Sequence, residues 1–477
     1  MSKITFGTSG YRGIINQSFT LKHVQAIGLA IAQYLLKTNS TPKVVIGFDP
    51  RQGNDPIISN SSFIAILVQT LQSHPIQIDC CPWPTPTPVI AWAITQFKLT
   101  GGIMLTASHN PPNYNGLKLN QSNGAPAELA ITNAISKAAS AYFHDLPTQR
   151  PLTNLPIHNH GYEEKFADHL FQLLLRLIPS ISSINSTIAI DVKHGACGRT
   201  WHAIENQFPK LNMILLHEKP LADFGGQHPN PTAIEHLNQL KNVITDTHAL
   251  LGIANDPDGD RHMILDESGQ PVSPEETTAI IAHYCIQAKL PLTTLMTTLA
   301  SSQLIQKIAT THDMTYIETP IGFKYFTPHL ARLKNNNELG LAVESSGGMT
   351  ISSHTLEKCG FLPGLLIAAI CHDTGQSVSQ LRQLIYDTYG QFYFSESALD
   401  QSVPSLPTDM TTLQPFFSTP IQAIITDDGL KLVFANDQWV LARQSGTEPV
   451  VRIYAESTHP NNTIVLIDAM KRLLNTN

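Results

Sequence analysis

Two hydrophobic patterns alternate along the chain. Short apolar runs end in loops that carry Asp and Gly, as in KVVIGFDPRQG, STIAIDVKHGACG and HALLGIANDPDGDRH. Each run indicates a buried strand of the parallel type that delivers a polar loop at its carboxyl end. Between these runs, stretches such as LKHVQAIGLAIAQYLLK place apolar residues every three or four positions, which is typical of amphipathic helices. Strands that alternate with helices predict a layered α/β fold.

The length of the chain predicts several domains, because 477 residues, 42% of them hydrophobic, are too many for one core. The segment VSPEETTAIIAHYCIQ has the signature of a helix that begins after an N-cap at Ser273. A polar, Pro-containing stretch from about residue 398 precedes a predicted hairpin and a closing helix. We predict four domains, the last a smaller α+β domain, at residues 1–148, 149–264, 265–395 and 396–477.

Charge and composition exclude some classes of function. The chain has 30 Lys and Arg against 37 Asp and Glu, a net charge of -7, so it offers no basic field for a nucleic acid. Its first residues lack an apolar signal segment, and no stretch approaches the roughly 18 apolar residues of a membrane span. The six cysteines form no CxxC pair, which suits a reducing compartment. We therefore expect a cytoplasmic protein that acts on small molecules.

A loop of three aspartates is the sharpest chemical signal. In NDPDGDRH, the residues Asp256, Asp258 and Asp260 alternate directly after a predicted strand. Gly259 allows a turn tight enough for the three carboxylates to converge on one hard cation. An EF-hand would need glycine at the sixth loop position, where this chain has Arg261, and a solvated acidic turn is the other alternative. Arg261 beside the carboxylates suits an anionic substrate.

A serine loop raises a second question. In TASHNPPNYNGLKLN, Ser108 follows an apolar run, but the stretch lacks both glycines of the G-x-S-x-G turn of acyl hydrolases. From its neighbours alone, Ser108 is either a reactive group or the cap of a helix or turn.

Three loops that contain glycine suit a phosphorylated ligand. RQSGTEPVVRIYAE combines hydroxyl groups, open backbone N–H groups and flanking arginines; LAVESSGGMTI offers Glu344 and Ser346 to vicinal hydroxyls; FGTSGYRG carries Arg12. Each loop alone also fits an ordinary turn. Together with the serine and the aspartates they indicate phosphoryl transfer, because that reaction depends mainly on positioning and charge neutralisation.

In this order the motifs resemble those of the α-D-phosphohexomutase family, which includes phosphoglucomutases and phosphomannomutases. The resemblance covers nearly the whole chain. The matching stretches are FGTSGYRG, TASHNPPNYNGLK, HPNPT, NDPDGDRH, ETPIGFKYF, ESSGG, LEKCG and RQSGTEPVVRIYAE. The resemblance implies three similar α/β domains with mixed sheets and a smaller α+β domain around a central cleft, to which each domain contributes one motif.

The resemblance also implies an isomerase, an intramolecular phosphotransferase that interconverts hexose 1-phosphate and hexose 6-phosphate. In such enzymes the serine that matches Ser108 carries a phosphoryl group. Mg²⁺ is held by that phosphoserine together with the aspartates that match Asp256, Asp258 and Asp260. A hexose 1,6-bisphosphate is the intermediate and activator.

The remaining site residues follow from the same motifs. His109 and Lys118 are implied in proton transfer or orientation, without a decision on which is the base, and Arg12 is implied at the reaction centre. The implied substrate-binding residues are Arg261, Gly322, Lys324, Glu344, Ser346, Lys358, Arg443, Ser445, Gly446, Thr447 and Arg452.

Several positions depart from the family pattern. Ala342, Val343 and Ser345 replace two glycines and a glutamate of the usual sugar loop, Cys359 stands where an aspartate is usual, and Gln444 replaces a proline. The motifs FGTSGYRG and TASHNP resemble glucose and mannose mutases more than glucosamine mutases. We expect glucose 1-phosphate as the favoured substrate and mannose 1-phosphate next.

Two alternatives stay open. A catalytically idle homologue that binds sugar phosphates or has a regulatory role would account for the altered sugar loop and for Cys359. A Mg²⁺-dependent phosphatase would result if water reached the phosphoserine. We expect hexose phosphates as partners, neither a nucleic acid nor a membrane, and a monomer or a homodimer.

Overall fold

The computed structural model describes residues 4–7, 9–55, 62–146, 155–400, 407–444 and 450–475. Within these residues the strands form four sheets, which follow one another along the chain. The first unit contains β1 (Tyr11–Ile14), α1 (Leu21–Thr38), β2 (Lys43–Phe48), α2 (Phe63–Gln72), β3 (Gln77–Cys80), α3 (Thr87–Gln96), β4 (Gly101–Leu105), β5 (Tyr114–Gln121) and α4 (Leu129–Tyr142). The second contains α5 (Tyr162–Leu177), β6 (Thr187–Asp191), α6 (Gly198–Glu205), β7 (Asn212–Leu216), α7 (Asn238–Thr247), β8 (Leu251–Asn255), β9 (His262–Leu265) and β10 (Pro271–Val272).

The other two units complete the chain. The third contains α8 (Pro274–Gln287), β11 (Leu292–Thr298), α9 (Leu304–Thr311), β12 (Thr315–Thr319), α10 (Thr327–Asn335), β13 (Leu339–Val343), β14 (Met349–Ile351), α11 (Leu362–Thr374) and α12 (Val378–Tyr389). The fourth contains β15 (Tyr393–Leu399), α13 (Met410–Leu413), β16 (Ile421–Ile425), β17 (Leu430–Phe434), β18 (Gln438–Gln444), β19 (Val451–Ser457) and α14 (Pro460–Asn475). Short 3-10 helices lie at Pro179–Ser183, Phe224–Gly226, Ile234–His236, Phe323–Tyr325 and Gln414–Phe416.

The first three sheets share one arrangement of strands. In the first, β2 pairs in parallel with β3 and β4, and β5 runs antiparallel to β4. The second repeats it with β6, β7, β8 and antiparallel β9, and the third with β11, β12, β13 and antiparallel β14. The fourth sheet is antiparallel in the order β15-β19-β18-β17-β16 and packs against α14. The predicted fold class, three similar mixed-sheet units and a smaller α+β unit, is confirmed.

This repeat determines where the polar loops lie. In each of the first three units the last parallel strand reverses into the antiparallel strand that follows it. The β4–β5 reversal carries Ser108, the β8–β9 reversal carries the three aspartates, and the β13–β14 reversal carries Glu344. The strands β4, β8 and β13 are buried along their whole length, so each loop rests on a rigid support.

One hydrophobic core runs through the first three units, while the fourth has a core of its own. The third and fourth units meet in a small apolar cluster that includes Leu299 and Trp439. The buried carboxylate of Glu456 reinforces this contact, since it accepts hydrogen bonds from Trp439 Nε1 and from the Gln303 backbone N–H, both at 2.8 Å. The fourth unit is therefore attached to the other three through a much smaller apolar contact than those three share.

The sheets suggest where the domain boundaries fall. The second sheet continues to Val272, beyond the boundary predicted at 264, and the fourth sheet begins at Tyr393, before the boundary predicted at 395. The boundary predicted at 148 lies outside the described residues. We propose boundaries after Val272 and before Tyr393, because these leave each sheet whole. The predicted N-cap at Ser273 is confirmed, with a capping box to Glu276. Among the described residues, no helix combines the length and the apolar character needed to cross a membrane.

Candidate active site

Ser108 lies in the β4–β5 reversal and is fully buried. Its φ of +52° is in the left-handed region that residues other than glycine rarely adopt. Its Oγ donates a hydrogen bond to Asp256 Oδ2 at 2.6 Å, and its backbone N–H donates to Thr106 Oγ1 at 2.7 Å. The next helix begins only at Leu129, so the alternative that Ser108 caps a helix is wrong.

A buried arginine that the sequence analysis did not single out holds this loop. Arg51 follows β2 and is 1% exposed. Its Nε donates to Asp49 Oδ2 at 2.9 Å, and the ring of Phe224 from the second unit lies 4.8 Å from its guanidinium carbon. The guanidinium also donates to four carbonyl oxygens at 2.5 to 2.8 Å, those of Ser108, Asn110, Pro111 and Tyr114. Arg51 therefore fixes the strained backbone around Ser108.

Replacing Arg51 by lysine is expected to lower kcat about 10²-fold and the free energy of unfolding by about 2–4 kcal/mol. Lysine keeps the charge, but its three donors cannot satisfy the five acceptors that the planar guanidinium reaches. Steady-state kinetics and urea unfolding measure the two effects. Arg199→Lys is the control, because Arg199 is exposed and lies over the ring of Trp83. An unchanged kcat in Arg51→Lys would contradict the positioning role.

The three aspartates form a buried carboxyl cluster. Gly259 has a φ of +69°, and a Cβ at this position would lie 2.7 Å from Cys197 Sγ, so the turn requires glycine. Asp256, Asp258 and Asp260 are fully buried, and one carboxylate oxygen from each lies within 4.8 Å of the others. The solvated acidic turn is therefore wrong. The Oδ1 atoms of Asp258 and Asp260 have no hydrogen-bond partner among the described residues. Three buried carboxylates that converge in this way, two of them with an oxygen that makes no hydrogen bond to any described residue, fit a hard divalent cation such as Mg²⁺.

Lys118 on β5 reaches into the same cluster. Its Nζ contacts Asp258 Oδ2 and lies 2.6 Å from Asp260 Oδ2. Burial acts to lower the pKa of Lys118, but the two carboxylates outweigh this and raise it. Burial raises the pKa of Asp256 well above its usual value, and Asp258 and Asp260 add to this effect. The cluster thus attracts positive charge. It joins Lys118 of the first unit to the three aspartates of the second.

Further cationic side chains surround the carboxylates. Arg12 donates to Asn110 Oδ1 at 2.7 Å, and burial together with Arg261 lowers its pKa to about 10, so it remains charged at neutral pH. Lys358 Nζ lies 3.5 Å from Asp260 Oδ2. Burial lowers the pKa of His109 well below its usual value, with Arg261 and Arg12 contributing, so its imidazole is neutral. Such an arrangement can neutralise a phosphate dianion beside the aspartates.

The β13–β14 loop, which carries Glu344, is hydrogen-bonded to the chain directly after the aspartate loop. The backbone N–H of His262 donates to the carbonyl oxygen of Gly347 at 2.9 Å, and the side chain of Glu344 lies 3.9 Å from Lys358 Nζ. Cys359 is fully buried, and burial raises the pKa of its thiol to about 12, so it carries no charge. Lys358 therefore obtains its carboxylate neighbours from Asp260 and Glu344 without an aspartate at position 359.

Models of the phosphoglucomutase/phosphomannomutase family match the chain in four segments. The models of its three α/β/α domains match residues 3–144, 164–269 and 273–389, and that of its C-terminal domain matches residues 413–469. The chain belongs to the phosphoglucomutase/phosphomannomutase family. It is therefore a phosphohexomutase, an isomerase that acts as an intramolecular phosphotransferase.

Relatives of this phosphohexomutase differ in their sugars. A phosphoglucomutase/phosphomannomutase of Thermococcus kodakarensis is 27% identical over 95% of this chain and 94% of its own. A probable phosphoglucosamine mutase of Methanosphaera stadtmanae is 28% identical over 94% of each chain. The chain is thus almost equally similar to mutases that are named for different sugars.

Solved structures share the fold. A putative phosphomannomutase from Thermus thermophilus superposes with a TM-score of 0.83 over 99% of both chains at 23% identity. An N-acetylphosphoglucosamine mutase from Aspergillus fumigatus, in complex with GlcNAc-6P and magnesium, superposes with a TM-score of 0.59 at 16% identity over 99% of this chain and 95% of that one.

The other predicted substrate-binding residues of this phosphohexomutase lie further along the chain. Lys324 in the third unit lies 5.6 Å from the ring centre of Tyr325, and burial lowers its pKa. Arg443 on β18 pairs with Arg452 on β19 in the sheet register and donates to Asp428 Oδ1 at 2.8 Å. None of the contacts described for these side chains reaches the Ser108 loop. Gly322 precedes a short 3-10 helix and has a φ of +138°, and Ser346 lies half-buried in the β13–β14 loop. Ser445, Gly446 and Thr447 lie outside the described residues.

Proposed function

We propose that this phosphohexomutase interconverts hexose 1-phosphate and hexose 6-phosphate through a phosphoserine at Ser108, with glucose 1-phosphate as the favoured substrate. The observation that carries the proposal is the 2.6 Å contact between Ser108 Oγ and Asp256 Oδ2. It places a serine hydroxyl from one unit against the carboxyl cluster of another, with cations on several sides. A phosphoryl group on Oγ would remove the hydroxyl that donates this hydrogen bond. It would also bring a charge of about -1.5 to -2 next to three carboxyl groups. Such a group is stable there only if positive charge surrounds it.

The residues around Ser108 are proposed to have separate roles in stabilising the phosphoryl group. Asp256, Asp258 and Asp260 would hold Mg²⁺ together with the phosphoserine, and the ion, when bound, would neutralise charge on the phosphoryl oxygens. Arg12, Lys118 and Lys358 are proposed to orient the phosphate and stabilise the charge that develops during transfer. Glu344 and Ser346 are proposed to bind sugar hydroxyls.

In the first half-reaction the phosphoryl group passes from Ser108 Oγ to the 6-hydroxyl of a hexose 1-phosphate. The bond between phosphorus and Oγ breaks, and a bond between phosphorus and the sugar oxygen forms. The hydroxyl proton leaves to a base, and Oγ gains a proton from an acid. His109 and Lys118 are the candidates for these transfers.

The second half-reaction returns a phosphoryl group to the enzyme. The hexose 1,6-bisphosphate reorients within the site, and the phosphoryl group of its 1-phosphate passes to Ser108 Oγ. The bond between phosphorus and the sugar O1 breaks as the bond to Oγ forms, Oγ loses its proton to a base, and O1 gains a proton from an acid, which leaves hexose 6-phosphate. In each half-reaction the phosphate that does not react must also be bound, whether it is the 1-phosphate or the 6-phosphate of the sugar. Arg443, Arg452 and the loop with Ser445, Gly446 and Thr447 are proposed for that role.

Comparison of sugars tests the proposal. With Mg²⁺ and catalytic glucose 1,6-bisphosphate, we expect kcat/KM to fall from glucose 1-phosphate to mannose 1-phosphate, and glucosamine 1-phosphate to be at least about tenfold below glucose. A coupled assay of 6-phosphate formation measures all three. A highest value for glucosamine would overturn the sugar assignment. Formation of no 6-phosphate from any of them would overturn the proposed function.

The idle homologue receives less support from the site. It was suggested partly by Cys359, yet Lys358 keeps two carboxylate neighbours without an aspartate there. The burial of Ser108 limits the access of water and of a sugar hydroxyl alike, so the rate of inorganic phosphate release is the measurement that separates a phosphatase from a mutase.

A further inference from the structure

Two histidines and an aspartate form a second cluster, which we call the edge cluster, at β3 in the first sheet. His158 Nδ1 lies 3.2 Å from Asp79 Oδ1, and His160 Nε2 lies 2.9 Å from Asp79 Oδ2. One nitrogen from each histidine and one aspartate oxygen all lie within 4.8 Å of one another. In the part of the chain that the structure describes, only this cluster and the three buried aspartates bring three such ligand groups so close.

The backbone holds the edge cluster in place. The segment that contains His158 pairs in parallel with the end of β3. Cys80 N–H donates to Pro156 O at 2.9 Å, and His158 N–H donates to Cys80 O at 3.1 Å. A hydrogen bond from a buried side chain also orients Asp79. The hydroxyl of Tyr162, a residue only 4% exposed, donates to its Oδ2. A carboxylate fixed in this way is oriented before an ion arrives.

The donor set indicates the class of ion. Two imidazoles and one carboxylate suit Zn²⁺ and similar transition-metal ions, whereas Mg²⁺ prefers oxygen ligands. Ligands at about 2.0–2.1 Å from a tetrahedral zinc ion lie about 3.4 Å apart, and one ligand atom from each of the three residues already lies within 4.8 Å of the others. The side chains of His158 and His160 are 56% and 43% exposed, so an ion can reach them from solvent.

We propose that Asp79, His158 and His160 bind one divalent transition-metal ion, with water completing the coordination. Such an ion would tie β3 of the first unit to the segment that leads into α5 of the second. Lys165 Nζ lies 2.9 Å from His160 O, and its nearby charge would moderate the affinity. The site is separate from the aspartate cluster and does not depend on the function proposed for Ser108.

Calorimetric titration tests the edge cluster. Untagged protein, treated with a chelator and then supplied with excess Mg²⁺ to fill the aspartate cluster, is titrated with Zn²⁺. We expect one equivalent of Zn²⁺ to bind and to raise the melting temperature. His158→Gln and His160→Gln are each expected to weaken binding at least about tenfold, and Tyr162→Phe to weaken it less.

Two control variants locate the ion. His144→Gln changes an exposed histidine elsewhere and is expected to bind Zn²⁺ as the wild type does. Asp258→Asn alters the aspartate cluster and is also expected to keep the Zn²⁺ affinity. Equal affinity in the wild type, His158→Gln and His160→Gln would overturn the proposal. Loss of Zn²⁺ binding in Asp258→Asn would overturn it too, because the ion would then lie among the aspartates.

Discussion

Replacing Ser108 by alanine is expected to lower kcat/KM for glucose 1-phosphate by more than about 10³-fold. Alanine removes the atom that would accept and return the phosphoryl group. Intact-mass measurement of the purified wild type is expected to show a fraction about 80 Da heavier than the chain, and this fraction is expected to be absent from Ser108→Ala. The proposed mechanism requires both losses together.

Ser122→Ala is the matched control for this variant. Ser122 is exposed in the turn that follows β5, so its replacement is expected to leave both the heavier fraction and kcat/KM unchanged. Retention of the heavier fraction in Ser108→Ala would place the phosphate on another residue. A wild type that binds sugar phosphates but never carries the added mass would support the idle homologue.

Replacing Asp258 by asparagine is expected to lower kcat/KM about 10²- to 10³-fold at saturating Mg²⁺ and to increase the Mg²⁺ concentration needed for half-maximal rate. Asparagine has the same shape, so the loss reports on charge. In the structure Asp258 accepts hydrogen bonds from the hydroxyl of Thr87 at 2.7 Å and from the ammonium group of Lys118. Removing its charge weakens the attraction to Lys118 and to a bound Mg²⁺.

Asp246→Asn is the control, since Asp246 is exposed on α7. Chelation of Mg²⁺ from the wild type is expected to abolish turnover, and added Mg²⁺ is expected to restore it. Full activity in the presence of chelator, together with a normal rate in Asp258→Asn, would contradict a metal site at these aspartates.

The aspartate loop could be predicted from the sequence because its signal is local. Alternating Asp256, Asp258 and Asp260 after an apolar run, with Gly259 between them, already specify a tight turn with converging carboxylates. The strands and the C-terminal hairpin could be predicted for the same reason, because the alternation of hydrophobic residues that defines them lies within each segment. The helix cap at Ser273 could also be predicted, because it depends only on neighbouring residues.

The contacts that assemble the site could not be predicted in this way, because they join residues distant in the chain. Arg51 binds carbonyl oxygens 57 to 63 residues away, and backbone acceptors leave no trace in side-chain patterns. His158 and His160 meet Asp79 only because the segment that carries them pairs beside β3. The polar loops after β2 and β6 resemble the aspartate loop after β8 in sequence. In the fold, however, it is the β4–β5 reversal with Ser108 that matches the β8–β9 reversal.

The most direct test of the central claim follows the phosphoryl group itself. Enzyme labelled with ³²P at Ser108 is mixed with excess unlabelled glucose 1-phosphate, or with the mannose and glucosamine 1-phosphates, for a single turnover. The proposed mechanism predicts that the label leaves the protein and appears in hexose bisphosphate and hexose 6-phosphate. Label that stays on the protein with all three sugars, or that is released as inorganic phosphate, would contradict it.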